Sequence, residues 1–216
     1  MLKRLPFAVA LALILTVAAP THAAPDPKVE ARYAQALAAA KAGPPDAVDW
    51  QAFRFAYADS AEFDPEGIKV EDAKKAMFAA LNAHDAAQAI AQAGKVLADN
   101  FADIDAHIVL DLAYAQTGAA ADEAREHATV LAILRSIRTG DGASPAQAFT
   151  VISVGEEYQV MRAFVMTVQG QALVEADGHS YDRLSVVDGE GKAHTFFFLV
   201  DRVLAAEAAG LGLPKH

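Results

Sequence analysis

The chain has 216 residues, no cysteine, 54% hydrophobic residues and a formal net charge of −10. Without cysteine, a disulfide framework and thiol chemistry are excluded, and the acidic balance argues against nucleic acid or an anionic membrane surface as a partner. A chain of this length can bury a sufficient hydrophobic core without covalent cross-links.

The first residues have the pattern of a cleavable signal peptide. The basic segment MLKR precedes the apolar run LPFAVALALILTVAA, which has the length of a secretory segment and is short for a membrane span. Small residues at Thr21 and Ala23 predict cleavage after Ala23, so that residues 1–23 are removed. The alternative is a retained membrane anchor. No later segment approaches the roughly 20 apolar residues of a spanning helix, so we expect a periplasmic or secreted protein without a membrane span after cleavage.

Residues 24–138 have a helical hydrophobic period. After a first helix, GPPD breaks the pattern, and AVDWQAFRFAYA predicts a short aromatic helix with Trp50, Phe53 and Tyr57 on one side. Asp85 begins a later helix in the manner of a capping box. The four helices that follow the aromatic one are predicted over residues 70–83, 86–98, 104–117 and 120–138.

Two segments of this helical region resemble each other at a period of about 34 to 35 residues, namely ALNAHDAAQAIAQAGKVLADN and AYAQTGAAADEAREHATVLAI. The period and the positions of small residues resemble tetratricopeptide helix pairs. A plain helical bundle is the alternative, because alanine-rich helices resemble one another through composition alone.

From residue 139 onward the hydrophobic period changes to two. The segment TGDGASPAQAF lacks a phosphate-loop or nucleophile-elbow pattern and is explained by helix caps and a turn. FTVIS predicts a short strand, and VGEEYQVMRAFV predicts a helix with Tyr158, Met161 and Val165 on one face. The remainder, GQALVEADGHSYDRLSVVDGEGKAHTFFFLVD, predicts a three-stranded antiparallel meander with turns at Asp177-Gly178 and in DGEG.

The expected fold class is α+β, with N-terminal helical hairpins followed by a small antiparallel β-meander and one or two helices. The expected parts are a signal peptide over 1–23, a helical region over 24–138 and an α+β region over 139–216. We expect the last two to pack as one unit.

The length of the second turn decides which residues share a face of the meander. With two or four residues in that turn, Tyr181 shares a face with Phe198, while Leu184 shares the other with Phe197. The same assumption places His179 and His194 on one face, about 13–20 Å apart along the sheet. That distance is too long for joint coordination of a metal, so we interpret both as rim or surface histidines.

Several segments together resemble a known family. They are SIRTGDGASPAQAFTVISVGEEYQVMRAF, YDRLSVVD and TFFFLVD, with VDWQAFRFAYADSAEFDP upstream. As a set they are similar to an uncharacterised family of secreted bacterial domains, the domain-of-unknown-function family 4919, from about Val48 to Asp201. One departure is FDPEG, where members more often carry asparagine and tyrosine about the proline. The resemblance implies a bacterial envelope protein and supplies no activity, substrate or catalytic residue.

Two acid–histidine pairs lie at helical spacing. His107 and Asp111 are four residues apart, and so are Glu123 and His127. If the two helices form a hairpin about Gly118, all four side chains could converge as a divalent-metal site. The alternative is ordinary pairing on solvated helix faces, or a histidine that holds the helices together.

The sequence therefore predicts an exported, non-catalytic envelope protein that binds another protein or a peptide in a groove between helix pairs. Arg54 and Tyr57 are candidate binding residues, although Arg54 could instead pair with Asp49 or Asp59. No cofactor is predicted. The alternative is a divalent-metal or small-ligand-binding protein, or a hydrolase, built on the four-residue cluster. A third alternative is a structural envelope protein without a discrete site.

Overall fold

The computed structural model describes residues 25–210, and the predicted signal peptide over residues 1–23 lies outside this range. The described range contains eight α-helices and four strands, which confirms the α+β class. The helices are α1 Pro27–Ala42, α2 Trp50–Asp59, α3 Glu71–Asn82, α4 Ala86–Asp99, α5 Ile104–Thr117, α6 Ala120–Ile137, α7 Val154–Ala163 and α8 Asp201–Gly210. The strands are β1 Phe149–Thr150, β2 Thr167–Ala176, β3 His179–Val187 and β4 Ala193–Leu199. Across residues 25–210, no helix combines the length and apolarity that crossing a membrane requires.

The helix ends follow the capping residues in the sequence. The carboxylate of Asp85 accepts the Gln88 N–H at 3.0 Å at the start of α4, and Gly118 ends α5 in the left-handed conformation with φ of 74°. Consecutive helices from α3 to α6 pack against each other, and α3 also contacts α5. The predicted helical hairpins are therefore present.

The four strands form one mixed sheet in the order β1-β4-β3-β2. The antiparallel meander of β2, β3 and β4 is confirmed, including the two-residue turn at Asp177-Gly178, where Ala176 pairs with His179. The separate strand predicted in FTVIS is β1, and it makes the sheet mixed, because it pairs in parallel with β4 through Phe149 and Phe198. The short edge strand β1 leads directly into α7.

The second turn is longer than predicted and reverses the predicted faces. Val187 pairs with Ala193, which leaves residues 188–192 as a five-residue loop. Leu184 therefore lies opposite Phe196 and shares a face with it, whereas the prediction placed Leu184 on the face of Phe197. Because an odd loop shifts the register by one residue, His194 lies opposite Val186 and does not share a face with His179.

The interior face of α7 also differs from the prediction. Its buried residues include Glu156, Glu157 and Met161, whereas Val165 lies beyond the helix end, 76% exposed and with a φ of 56°. Two adjacent acidic residues at a helix start are typical of a solvated first turn, and here both point inward.

The joint between the helical region and the sheet is a tightly packed turn. The Gly142 carbonyl accepts the Phe197 N–H at 2.8 Å, and its N–H donates to the Gln147 carbonyl at 2.7 Å. A Cβ atom on Gly142 would lie 2.8 Å from the Phe196 ring, and its φ is 76°, so both space and backbone conformation require glycine. The structure confirms that this segment joins two parts of the fold.

Two hydrophobic clusters form the core. The larger one contains residues of both halves of the chain, such as Phe53 of α2, Ile133 of α6, Met161 of α7 and Phe198 of β4. The smaller one lies among α3, α4 and α5 and includes Met77. Where α3 and the start of α5 approach α7, the surface forms a cleft.

Candidate functional site

Arg54 forms a fully buried ion pair with Glu156. Its Nε lies 2.7 Å from Oε1 of Glu156 and its Nη2 lies 2.6 Å from Oε2, and the two side chains are 0% and 2% exposed. Arg54 also donates to the carbonyl oxygens of Thr150 at 2.8 Å and Ser136 at 3.1 Å. The predicted binding residue is thus inside the protein, where it joins α2 to β1, α6 and α7.

The predicted partners of Arg54 have other roles. Asp49 caps α2 by accepting the Ala52 N–H at 2.9 Å, and Asp59 pairs with Arg32 and Arg202 at the surface. The bidentate geometry with Glu156 is the arrangement that satisfies a buried guanidinium.

Beside this ion pair lies a cleft of about 590 Å³, which we call the α3–α7 cleft. One side of the cleft is a face of α3 and the other is α7 from Gly155 to Arg162. Residues at the start of α5 also line it. Its lining comprises Tyr57, Asp64, Pro65, Glu66, Gly67, Val70, Glu71, Lys74, Lys75, Phe78, Asn82, Asp99, Asn100, Asp103, Asp105, Ser153, Gly155, Glu156, Gln159 and Arg162. The cleft thus collects residues from two distant stretches of sequence.

The middle of the cleft is an ion network between its walls. The Nζ of Lys74 lies 2.6 Å from Asp103 Oδ2 and 3.4 Å from Asp105 Oδ2. Arg162 contacts Asp105 through Nε at 3.0 Å and Nη2 at 2.5 Å. Because both carboxylates are almost fully buried and each has a cationic partner, the charges of this network offset one another.

At the end of the cleft near Tyr57, the carboxylates are not all matched by cations. The Tyr57 hydroxyl donates to Asp99 at 3.4 Å and accepts the Asp64 N–H at 3.3 Å. Burial raises the pKa of Asp99 above its usual value, and the charges of Asp64 and Glu62 raise it further, while Lys69 at 3.8 Å opposes the shift. At this end the three carboxylates of Asp64, Glu66 and Asp99 outnumber the one neighbouring cation, Lys69. The predicted binding residue Tyr57 lines it, although its side chain is only 1% exposed.

Gln159 carries an unsatisfied acceptor in the wall of the cleft. Its Nε2 donates to Asp103 Oδ2 at 2.8 Å, its side chain is 3% exposed, and its Oε1 has no hydrogen-bond partner. A buried acceptor without a donor costs about 1–3 kcal/mol.

The four side chains considered as a possible metal cluster do not converge on one point. His107 is buried, with Nδ1 2.5 Å from Glu126 Oε2 and Nε2 2.9 Å from the Phe101 carbonyl oxygen, so both ring nitrogens hold α5 to its surroundings. The rotation of the α5–α6 hairpin brings Glu126 to His107, and neither Asp111 nor Glu123 reaches it.

The other three predicted metal ligands lie together on a separate surface. His127 Nδ1 is 3.1 Å from Asp111 Oδ2, and both line a second cleft of about 630 Å³ with Glu123. Within residues 25–210, no group of three or more His, Cys, Asp or Glu side chains is arranged to hold a metal ion. The rim histidines pair with single carboxylates, His179 with Asp201 and His194 with Asp188.

Glu157 is a further group that the sequence analysis did not single out. It is 0% exposed and neither of its oxygens has a hydrogen-bond partner. Burial raises the pKa of Glu157 to about 9, and the nearby carboxylates of Asp182, Glu156 and Glu207 raise it as well. At neutral pH this side chain is therefore a neutral acid inside the fold.

The model of one protein family, described as Domain of unknown function (DUF4919), matches residues 48–208. This match confirms the resemblance found in the sequence and covers both halves of the fold. No curated protein and no solved structure matches the chain.

Proposed function

The chain belongs to the DUF4919 family, and from the chemistry of the α3–α7 cleft we propose that it is a non-catalytic binding protein for cationic peptide segments. The ligand would be a Lys or Arg side chain of a peptide or of another protein. The observation that carries this proposal is the excess of negative charge beside Tyr57, where Lys69 offsets only part of the charge of three carboxylates.

The charges that line the cleft support a cationic ligand. Apart from Glu156, which Arg54 balances, six carboxylates face three cationic groups in the lining. Of the three cations, Lys74 and Arg162 already contact Asp103 and Asp105, and Lys75 contacts Glu71. The excess therefore lies with Asp64, Glu66 and Asp99. Lys69 contacts Asp99 at 3.8 Å and offsets part of this charge, and a ligand ammonium or guanidinium would offset the rest.

The polar groups of the cleft also support binding without catalysis. Among the lining residues that the structure describes there is no histidine, and the Ser153 hydroxyl accepts the Glu156 N–H at the start of α7. A nucleophile needs an adjacent base, and this serine caps a helix. The lining is therefore suited to binding a charged ligand and not to attacking it.

Replacing Asp99 with asparagine is expected to weaken binding of a lysine-containing peptide about fivefold, because a charge pair at a partly exposed site contributes up to about 1 kcal/mol. Binding should also weaken as salt concentration rises. The measurement is isothermal titration calorimetry of the purified protein with a blocked peptide that carries one lysine.

The matched control is Glu123→Gln, which removes one carboxylate from the second cleft and should leave the affinity unchanged. Equal losses in the two variants would show that only the overall acidity of the protein attracts the peptide. Equal affinity for a peptide with glutamate in place of lysine would contradict the proposal.

We also propose that the protein acts outside the cytoplasm, on the strength of the signal-peptide pattern in its first residues. When the full sequence is expressed in a bacterial host, the processed chain should begin at Ala24 and appear outside the cytoplasm. Intact mass and N-terminal sequencing after cell fractionation test this expectation. A cytoplasmic protein that retains residues 1–23 would exclude it.

A further inference from the structure

Strand β2 is a long edge strand of the sheet. It has ten residues and stands at the end of the order β1-β4-β3-β2, and among the residues that the structure describes no further strand pairs with its outer side. Proline, lysine or a β-bulge commonly protects an edge strand from pairing with another chain. The sequence of β2, TVQGQALVEA, contains neither proline nor lysine, and its register shift lies between Val168 and Gly170. Residues 171–176 are therefore regular and unprotected.

The turn that follows β2 determines which of its backbone groups point outward. Asp177 and Gly178 have φ values of 52° and 78°, as in a type I′ turn. Such a turn directs the carbonyl group of Ala176 toward the N–H of its partner His179. Because hydrogen-bonded and non-hydrogen-bonded pairs alternate along an antiparallel ladder, every second residue of β2 directs its N–H and C=O away from β3. These residues are Gln171, Leu173 and Glu175.

The side chains of these three residues lie on the face of the sheet against which α7 packs. The Tyr158 hydroxyl of α7 donates to Gln171 Oε1 at 2.8 Å, and Leu184, which pairs with Gln171 on β3, is fully buried. Leu173 lies beyond this cover and is 55% exposed. The apolar face of the sheet thus extends to its edge and ends there in an uncovered leucine.

Strand β2 is complementary to a second copy of itself in one antiparallel register. When Leu173 of one copy lies opposite Leu173 of the other, Gln171 lies opposite Glu175 on both sides, and all the outward residues form hydrogen-bonded pairs. The two leucines then cover each other. The Gln171 amide donates one hydrogen to Asp182 and has a second one for the Glu175 carboxylate.

Other antiparallel registers are less favourable. A shift of the two-fold axis by one residue in either direction places Leu173 opposite a polar side chain. A shift to Glu175 places two carboxylates opposite each other, which is destabilising. A shift to Gln171 extends the pairing into the irregular segment that precedes Gly170. The pattern of side chains therefore selects the register centred on Leu173.

From these features we propose that the protein forms a two-fold symmetric dimer in which the β2 strands of two copies pair antiparallel about Leu173. Such an interface uses the same surface on both copies. The other edge of the sheet is β1, which has only two residues, so the assembly closes at two copies. Main-chain hydrogen bonds and the leucine contact stabilise this dimer, whereas the acidic net charge of each copy opposes it. The interface is separate from the α3–α7 cleft and independent of the proposed function.

Sedimentation equilibrium of the purified protein over a range of concentrations tests for the dimer. We expect a reversible monomer–dimer equilibrium in which the dimer fraction rises with salt, because salt screens the repulsion between two acidic copies. Leu173→Lys places two ammonium groups opposite each other and should weaken dimerisation about tenfold or more. The matched control Leu112→Lys introduces the same charge at a leucine of α5 that is 48% exposed, and should leave dimerisation unchanged.

Cysteine variants test the register, because the chain contains no cysteine of its own. In the proposed dimer the Cα atoms of the two Leu173 residues are about 5.5 Å apart, which is within the range of a disulfide. Mild oxidation should therefore cross-link Leu173→Cys into a covalent dimer. The control is Glu175→Cys, whose two copies lie about 14 Å apart along the sheet and should not be cross-linked.

The outcomes decide between self-pairing and its alternatives. A parent protein that is monomeric at every concentration overturns the proposal and leaves the edge of β2 to a strand of another protein. Equal weakening by Leu173→Lys and Leu112→Lys, or equal cross-linking of Leu173→Cys and Glu175→Cys, also overturns it. Dissociation in Leu173→Lys alone, with cross-linking confined to Leu173→Cys, supports it. If Leu173→Lys does not fold, the two cysteine variants still decide.

Discussion

Replacing Arg54 with methionine is expected to lower the free energy of unfolding by about 3–5 kcal/mol. The substitution leaves the Glu156 carboxylate 2% exposed and without its cation. It also removes the donors to the carbonyl oxygens of Thr150 and Ser136. A buried charge and unpaired acceptors both carry large desolvation costs. These costs exceed the net free energy that the ion pair itself contributes.

The measurement is equilibrium urea unfolding of the parent and the variant at neutral pH. The control is Arg135→Met, which removes an ion pair to Asp46 whose two side chains are 59% and 78% exposed, and which should cost about 1 kcal/mol or less. A double substitution, Arg54→Met with Glu156→Leu, should recover part of the loss, because it removes the unpaired charge.

Recovery in the double variant is the decisive result. If Arg54→Met costs no more than Arg135→Met, the pair contributes little and the junction of α2 with α7 depends on apolar packing alone. If the double variant is as unstable as the single one, the loss comes from the carbonyl acceptors or from packing. If the single variant does not fold, circular dichroism of the double variant still tests recovery.

The elements of the fold could be read from the sequence wherever local rules determine them. The helices from α3 to α6 follow from apolar periodicity, and caps such as Asp85 and Gly118 fix their ends. The first hairpin follows from the Asp177-Gly178 dipeptide, which favours a two-residue turn. These features depend on neighbours within a few positions.

The sheet register could not be derived in the same way. The second turn contains Asp188, whose carboxylate accepts the N–H groups of Glu190 and Lys192 at 3.0 and 2.9 Å. This arrangement makes a five-residue loop, and the odd number exchanges the two faces of β4 relative to β3. A sequence that permits loops of two, four or five residues does not fix the register.

Most of the candidate site could not be predicted from the sequence, because its residues come from stretches far apart in the chain. Arg54 and Glu156 are 102 positions apart, and Glu156 has the position of an ordinary acidic residue in the first turn of a helix. Lys74 and Arg162 follow the pattern of solvated helix faces, and only packing brings them to Asp103 and Asp105. Of the two predicted binding residues, Tyr57 lines the cleft and Arg54 lies behind it in the buried ion pair.

Glu157 is expected to make the free energy of unfolding depend strongly on pH. Below pH 4.5, the ordinary pKa of glutamate, this carboxyl is protonated in both the folded and the unfolded chain. Between that value and about 9 the unfolded chain releases the proton while the folded protein keeps it. The folded state then binds more protons than the unfolded state, so its stability decreases as pH rises through this window.

Glu157→Gln is expected to remove this decrease. Glutamine has nearly the same shape as the protonated acid and cannot ionise, so the two proteins should be equally stable near pH 4.5. At pH 7 the glutamine variant should be more stable by about 3 kcal/mol, the free energy that a raised pKa costs over this interval. The measurement is the urea midpoint of each protein at pH values from 4.5 to 9.

The control is Glu175→Gln on an exposed position of β2, which should leave the pH dependence of the parent unchanged. Histidines and other carboxylates titrate in every variant, so the difference between Glu157→Gln and the parent isolates this one group. If stability changes with pH in the same way in the parent and in Glu157→Gln, this would falsify the inward, unpartnered position of the carboxyl. A gain in stability that grows with pH would show that this family member retains a buried acid at a cost to its own stability, since the glutamine that relieves the cost fits the same space.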